Sequence, residues 1–145
     1  MTLTNTILRR ADLHGATFSG STNMTYANVR NADLTDAVLN GRNLTSSNFS
    51  NATMVGTKLT SATLTNATLS GAMLNNAVLS TANLIGARMI GSTLTGATLT
   101  LGTNLSNADL TGATLTNVVS SGILGTPAVL PTNWSIVSGS LVEAG

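Results

Sequence analysis

His14 is the only histidine in this 145-residue chain, and Asp12 stands two positions before it. Residues two apart on an extended segment point to the same side, roughly 6–7 Å apart, so the two could hold each other as a weak ion pair. Acid–base catalysis needs a third group to orient the imidazole, and a metal site needs further ligands. The chain has no cysteine and offers His14 no neighbouring serine with an orienting partner, so no catalytic residue, no metal and no cofactor is expected. Arg30, Asp33 and Asp36 lie around one turn and read as a solvated ion cluster. Fourteen glycines invite a phosphate-binding loop, but they recur at a fixed interval that explains them without a nucleotide. Six Lys and Arg against five Asp and Glu leave a net charge of +1 and no basic stripe for nucleic acid. Apolar runs are a few residues long, against roughly 18 for a membrane span, and Met1 leads directly into patterned sequence without a signal peptide. No nucleic acid and no membrane is expected as a partner, and a cytoplasmic location is favoured.

The fixed interval is five residues, shown by Ala11-Asp12-Leu13-His14-Gly15, Ala32-Asp33-Leu34-Thr35-Asp36, Ala67-Thr68-Leu69-Ser70-Gly71 and Ala108-Asp109-Leu110-Thr111-Gly112. A large apolar centre heads each unit: Leu3, Leu8, Leu13 and Phe18, then every fifth residue from Met24 to Leu99, then Leu105, Leu110 and Leu115. All 23 centres are Leu, Phe, Met or Val. This period is neither the 3.6 of a helix nor the two of an ordinary strand.

The residue two before the centre is Ala in 15 units, so a small and a large side chain share one face, which must be the interior. The residue two after it is Gly or Asn in 16 units, the third position of a turn that needs positive φ. Each unit is therefore a short extended segment and a corner. A chain turning the same way every five residues closes most simply into a square coil of about 20 residues. Coils stacked at about 4.8 Å make an all-β solenoid roughly 28 Å long, with Leu44, Phe49, Leu64, Leu69, Leu74 and Leu84 in its core.

The Ala-(Asp/Asn/Thr)-Leu-Xaa-(Gly/Asn) phrase resembles the pentapeptide repeat family over residues 1 to about 117. The resemblance implies a right-handed quadrilateral parallel β-helix and a non-enzymatic role. It also implies an alternative, a DNA mimic that binds type II topoisomerases, which five acids disfavour. The expected domains are a β-helix over 1–119 and a capping segment over 120–145. Both prolines and the single tryptophan fall in the latter, and Trp134 is expected to cover the open end of the coil. The block Gly125-Thr126-Pro127 to Leu141-Val142 resembles a segment that recurs between or after such repeat arrays in bacterial proteins.

The register slips by one residue around Ser21 and around Gly102, both at the corner from the fourth side to the first. Corners tolerate such insertions. Arg42 occupies a slot that otherwise holds small residues. A guanidinium cannot stay unpaired in an apolar interior, so the wall is expected to open there and let it reach solvent or an acidic partner. The first coil has only Arg9 and Arg10 to guard its edge, so the protein is expected to be a monomer or an end-to-end dimer.

Outward positions are mostly Thr, Ser and Asn. Ice binding, suggested by Thr63-Leu64-Thr65, Thr93-Leu94-Thr95 and Thr98-Leu99-Thr100, is disfavoured because these phrases fall on different sides. Outward apolar residues offer a better surface: Val38, Val55, Met73 and Val78 around Lys58, and Ile85 with Ile90. The expected function is a non-enzymatic protein-interaction scaffold or rigid spacer.

Overall fold

The computed structural model describes residues 1–144, so Gly145 of the expected capping segment lies outside the described residues. Parallel bridges join each outward residue just before a centre to the equivalent residue one coil later. They form four columns: Thr2, Asn23, Asn43, Thr63, Asn83, Asn104 and Leu124; Ile7, Asn28, Asn48, Thr68, Arg88, Asp109 and Val129; Asp12, Asp33, Thr53, Met73, Thr93 and Thr114; and Thr17, Val38, Lys58, Val78, Thr98 and Val119. We call these ladders one to four. Most sides contribute a single bridged residue. Longer strands are β1 (Thr98–Leu99) and β2 (Val119–Ser120), which are parallel, and the antiparallel hairpin of β3 (Trp134–Val137) and β4 (Ser140–Glu143).

The five-residue unit uses its backbone in a fixed way. The centre donates its N–H upward, as Leu44 does to the Thr63 carbonyl at 2.8 Å, and the residue before it donates downward, as Thr63 does to Arg42 at 2.9 Å. The corner closes by a bond from the third residue after the centre back to the centre carbonyl, as from Ser47 to Leu44 at 3.1 Å. Every residue two after one of the 23 centres has positive φ, including Arg10, Tyr26, Asp36, Ser46, Ser61, Thr81 and Leu101. Side chains at this geometry cost about 1 kcal/mol each, so the ladder bonds on either side dictate the corner whatever residue fills it.

One N–H per unit lies outside the ladder, that of the residue after the centre. Asn or Asp just before the centre takes it: Asn43 Oδ1 accepts from Thr45 N–H at 3.1 Å, Asn48 from Ser50 at 3.0 Å and Asn104 from Ser106 at 3.0 Å. These two-residue side-chain turns explain why that outward slot favours Asn and Asp.

The centres from Met24 to Leu110 are fully buried, among them Leu44, Phe49, Leu64, Leu69, Leu74 and Leu84. Hydroxyls in the small slot are buried too, and each bonds a carbonyl: Ser47 to Leu44, Thr57 to Leu34 at 2.8 Å, Ser92 to Met89 at 2.7 Å and Thr103 to Leu79 at 2.9 Å. Leu3, Leu8, Leu13 and Phe18 of the first coil are only half-buried, since among the described residues no coil lies beneath them.

Apart from the leading Met1, Arg42 is the exception in the small slot. It is half-buried, its Nε donates to the Asn40 carbonyl at 2.9 Å, and its Nη1 is buried without a partner among the described residues. Of the two expected outlets, solvent and an acidic partner, the side chain keeps partial access to the first and bonds a backbone carbonyl at the adjoining corner in place of the second. Alanine fits this slot elsewhere and leaves no orphan donor, so Arg42→Ala should raise the unfolding free energy by about 1 kcal/mol. A urea midpoint that falls instead would show that the guanidinium is better satisfied than this geometry indicates.

The ladders do not stop at residue 119. Leu124 and Val129 still bridge to Asn104 and Asp109, so the first part of the expected capping segment is itself ladder. The interior pattern is inverted there: Ile123, in the small slot, is buried, and Gly125 stands where a centre would. The hairpin then crosses the end of the rod. Leu141 is buried, its N–H donates to Ser120 Oγ at 2.9 Å, and Trp134 and Ile136 pack against the core while half-exposed. No helix among the described residues is long and apolar enough to cross a membrane.

Candidate functional site

The ladders decide which outward side chains can act together. Val38, Lys58 and Val78 follow one another directly on ladder four, and Met73, 45% exposed, lies on ladder three between Thr53 and Thr93. Val55 follows the centre Met54, next to the corner that leads to Lys58. Lys58 is exposed, while Val38, Val55 and Val78 are half-exposed. Ile85 and Ile90 are half-exposed and follow centres on ladders one and two, away from that strip. Val38, Lys58 and Val78 thus stand in one column, with Met73 and Val55 on the preceding side and the two isoleucines on ladders one and two.

Residues with reactive potential are committed elsewhere. Asp12 does not engage the imidazole of His14; its Oδ1 accepts the backbone N–H of His14 at 3.1 Å. Asp33 accepts from the Thr35 hydroxyl at 2.6 Å and from Thr35 N–H at 2.9 Å. Asp36 places its carboxylate against the Cα side of Gly56, and Arg30 bonds Asn28 through its own N–H at 3.4 Å. Asp33 is thus held by its own Thr35, and among the described residues no ion pair joins Arg30, Asp33 and Asp36. Among the described residues no group of three His, Cys, Asp or Glu is arranged to hold a metal ion. The Thr phrases lie on ladders one, three and four, and ladder four is interrupted by Val38, Lys58 and Val78.

The Thr35 hydroxyl and then its N–H hold Asp33 below the ordinary aspartate value of 3.8, with the charge of His14 a smaller contribution. Asp109 is lowered in the same way by the Thr111 hydroxyl and N–H, and less by Arg88. A lowered folded-state pKa contributes stability that is present above 3.8 and lost as pH falls through the folded value. Urea midpoints should therefore drop between about pH 5 and about pH 2, and the drop should shrink in Thr35→Val/Thr111→Val. An unchanged drop would assign the acid sensitivity to other carboxylates.

Eight copies of the family pattern described as Pentapeptide repeats match the chain, over residues 2–22, 22–60, 62–100 and 101–119. The chain belongs to the pentapeptide repeat family. Proteins of this family are generally non-enzymatic structural or interaction proteins, and its known structures are right-handed β-helices. No curated protein sequence matches the chain. Among solved structures it is similar to the pentapeptide repeat protein Rfr23 from the cyanobacterium Cyanothece 51142, at 30% identity over 75% of this chain and 63% of that one, with a TM-score of 0.44. It is also similar to HetL, involved in heterocyst differentiation regulation in the cyanobacterium Nostoc sp. strain PCC 7120, at 31% identity over 86% of this chain and 65% of that one, TM-score 0.43. A trypsin-treated QnrB1, a plasmid-mediated fluoroquinolone resistance protein, shares the fold at 24% identity and TM-score 0.54, over 83% of this chain and 65% of that one. The chain thus spans less than two thirds of the length of these three structures.

What sequence reasoning missed is the exposed apolar surface at the end of the rod. Leu101, Val119, Leu124, Val129, Val137 and Val142 are all exposed, whereas between residues 27 and 100 Met73 alone among large apolar residues is so exposed. The signal was present in the breakdown of the five-residue pattern after Leu115, where apolar residues move into outward slots.

Proposed function

We propose that this pentapeptide repeat protein is a non-enzymatic module, a right-handed four-sided coil of about 20 residues per turn that offers a rigid, nearly neutral wall to a protein partner in the cytoplasm. The observation that supports this best is the commitment of the outward Asp12, Asp33, Asn43 and Asp109 side chains to backbone N–H groups two residues on, which takes these groups out of acid–base work. On such a wall the strip of Val38, Val55, Lys58, Met73 and Val78 is the place where desolvation can drive contact, with Ile85 and Ile90 as a lesser one. The near balance of charge counts against DNA mimicry, and a likeness to QnrB1 in fold alone does not restore it.

A photocrosslinking residue at Met73, used in cells of the native organism, should capture a discrete protein that Val38→Asp/Val78→Asp abolishes. The same residue at Thr45, on another side, should capture none. Indistinguishable capture from both positions would leave the coil as a spacer without a contact strip.

A further inference from the structure

We infer that the C-terminal end of the coil is a docking groove for an extended peptide strand carrying leucine-sized side chains. This builds on the reading of the protein as a non-enzymatic contact module but concerns the end of the rod, not its wall. Within the stack, Leu124 is held by two bonds to the coil beneath: its N–H donates to the Thr103 carbonyl and its carbonyl accepts from Leu105 N–H, both at 2.9 Å. One coil higher, the equivalent pair is the Ile123 carbonyl and the Gly125 N–H, and among the described residues neither has a hydrogen-bond partner. The next side repeats the arrangement. Val129 accepts from Leu110 N–H at 2.9 Å, and the equivalent upper pair, the Ala128 carbonyl and Leu130 N–H, is likewise without a partner among the described residues. Two consecutive sides therefore present open ladder positions with the spacing that the protein already uses to hold its own coils.

The side-chain space matches. Leu3, Met24, Leu44, Leu64, Leu84 and Leu105 are the successive centres of ladder one, and Gly125 takes the next position with no side chain, its φ of +75° turning the direction of a Cβ onto Ser106. A cavity of about 350 Å³ opens there, lined by Gly125, Thr126, Pro127, Leu130 and Ile136. Its volume lies in the range of about 300–1,000 Å³ found for binding pockets. The hairpin closes the other side of the rod end: Leu141 is buried, and the Gly139 carbonyl takes Ile123 N–H at 2.8 Å.

The occupant is argued from continuity with the internal coil interface. A strand residue bonded to the Ile123 carbonyl and Gly125 N–H would face outward, and the residue after it would point inward to the cavity. Five positions later the same phrase meets Ala128 and Leu130. A small apolar molecule could fill the space but would leave four backbone groups unmatched, so an extended strand of Ala-Xaa-Leu-Xaa-Xaa type suits the site better.

The probe is a synthetic decapeptide with the sequence of Ala62–Gly71, added to the whole protein and followed by amide NMR. The amides of Gly125 and Leu130 should shift, and their hydrogen exchange should slow by at least about tenfold at saturation. A peptide with both leucines replaced by aspartate should do neither. Ile136→Phe, with unchanged dichroism, should weaken binding by at least about tenfold. Absence of shifts at saturating peptide overturns the proposal, as do shifts produced by benzene but not by the peptide. Shifts that appear on concentrating the protein alone assign the groove to a second copy and overturn it as well. None of these results depends on what Met73 captures, so the groove and the wall strip stand or fall separately.

Discussion

Phe49→Ala should lower the unfolding free energy by about 3–5 kcal/mol, a large part of the roughly 5–15 kcal/mol that holds a typical domain together. Phe49 is fully buried on ladder two, below Leu69 and above Val29. Removing its ring loses the transfer term and leaves a void, and the second loss depends on how far the surroundings can collapse. Here they cannot move far. Phe49 N–H donates to Thr68 and Val29 N–H to Asn48, both at 2.7 Å, while Asn48 N–H is bonded to Ala27 and Thr68 N–H to Ser47. Any inward shift would stretch bonds to the coils on both sides. Phe18, the only other phenylalanine, provides the control: it lies in the first coil, half-buried, with one neighbouring coil rather than two. Phe18→Ala should cost about half as much or less, because the ring is already partly wet. Urea denaturation of both variants tests this, and equal losses would mean that the interior is not a set of closely spaced layers.

The period of five made the centres, the small slots and the corners legible, because each is a repeated choice of residue type. Both register slips were legible too: Thr2 pairs with Asn23 and Asn83 with Asn104, a separation of 21, whereas Asn23 pairs with Asn43 at 20. What could not be read was any feature in which the fold overrides local preference. Tyr26, Thr81 and Leu101 give no hint of positive φ, and take it because ladder bonds on both sides of the corner leave no alternative. Asp12 and His14 share an outward side as their spacing requires, yet the carboxylate goes to a backbone N–H, since a fixed donor two residues away outcompetes a flexible exposed ring. The coil beyond residue 119 escaped notice because Ile123 and Gly125 exchange the large and small slots, so that the period persists in the backbone after it has vanished from the residue types.

That exchange carries the second large effect. Gly125→Ala should destabilise the protein by about 2–4 kcal/mol, against about 1 kcal/mol for Gly112→Ala. Both glycines have positive φ, +75° and +63°, so both variants incur the left-handed penalty. Gly112 has nothing within 4 Å of an added Cβ. At Gly125 the new carbon would lie 2.8 Å from Ser106 Cβ and 2.9 Å from Ser106 Cα, and closer still to the hydroxyl. Ser106 cannot yield cheaply. Its Oγ donates to Asn104 Oδ1 at 2.7 Å, its N–H donates to the same oxygen at 3.0 Å, and its carbonyl accepts from Gly86 N–H at 2.9 Å. Relief must come from the upper coil, which would lift Leu124 from Thr103 and Leu105 and disturb the hairpin through Ile123 and Gly139. Amide exchange should therefore quicken first at Leu124 and Ile123 in Gly125→Ala, ahead of the central coils. Ser106→Gly in the same chain should recover part of the loss by opening space beneath the new carbon. Equal costs at the two glycines, or no recovery with Ser106→Gly, would show that the left-handed backbone alone, and not the close approach of the two coils, demands glycine at this position.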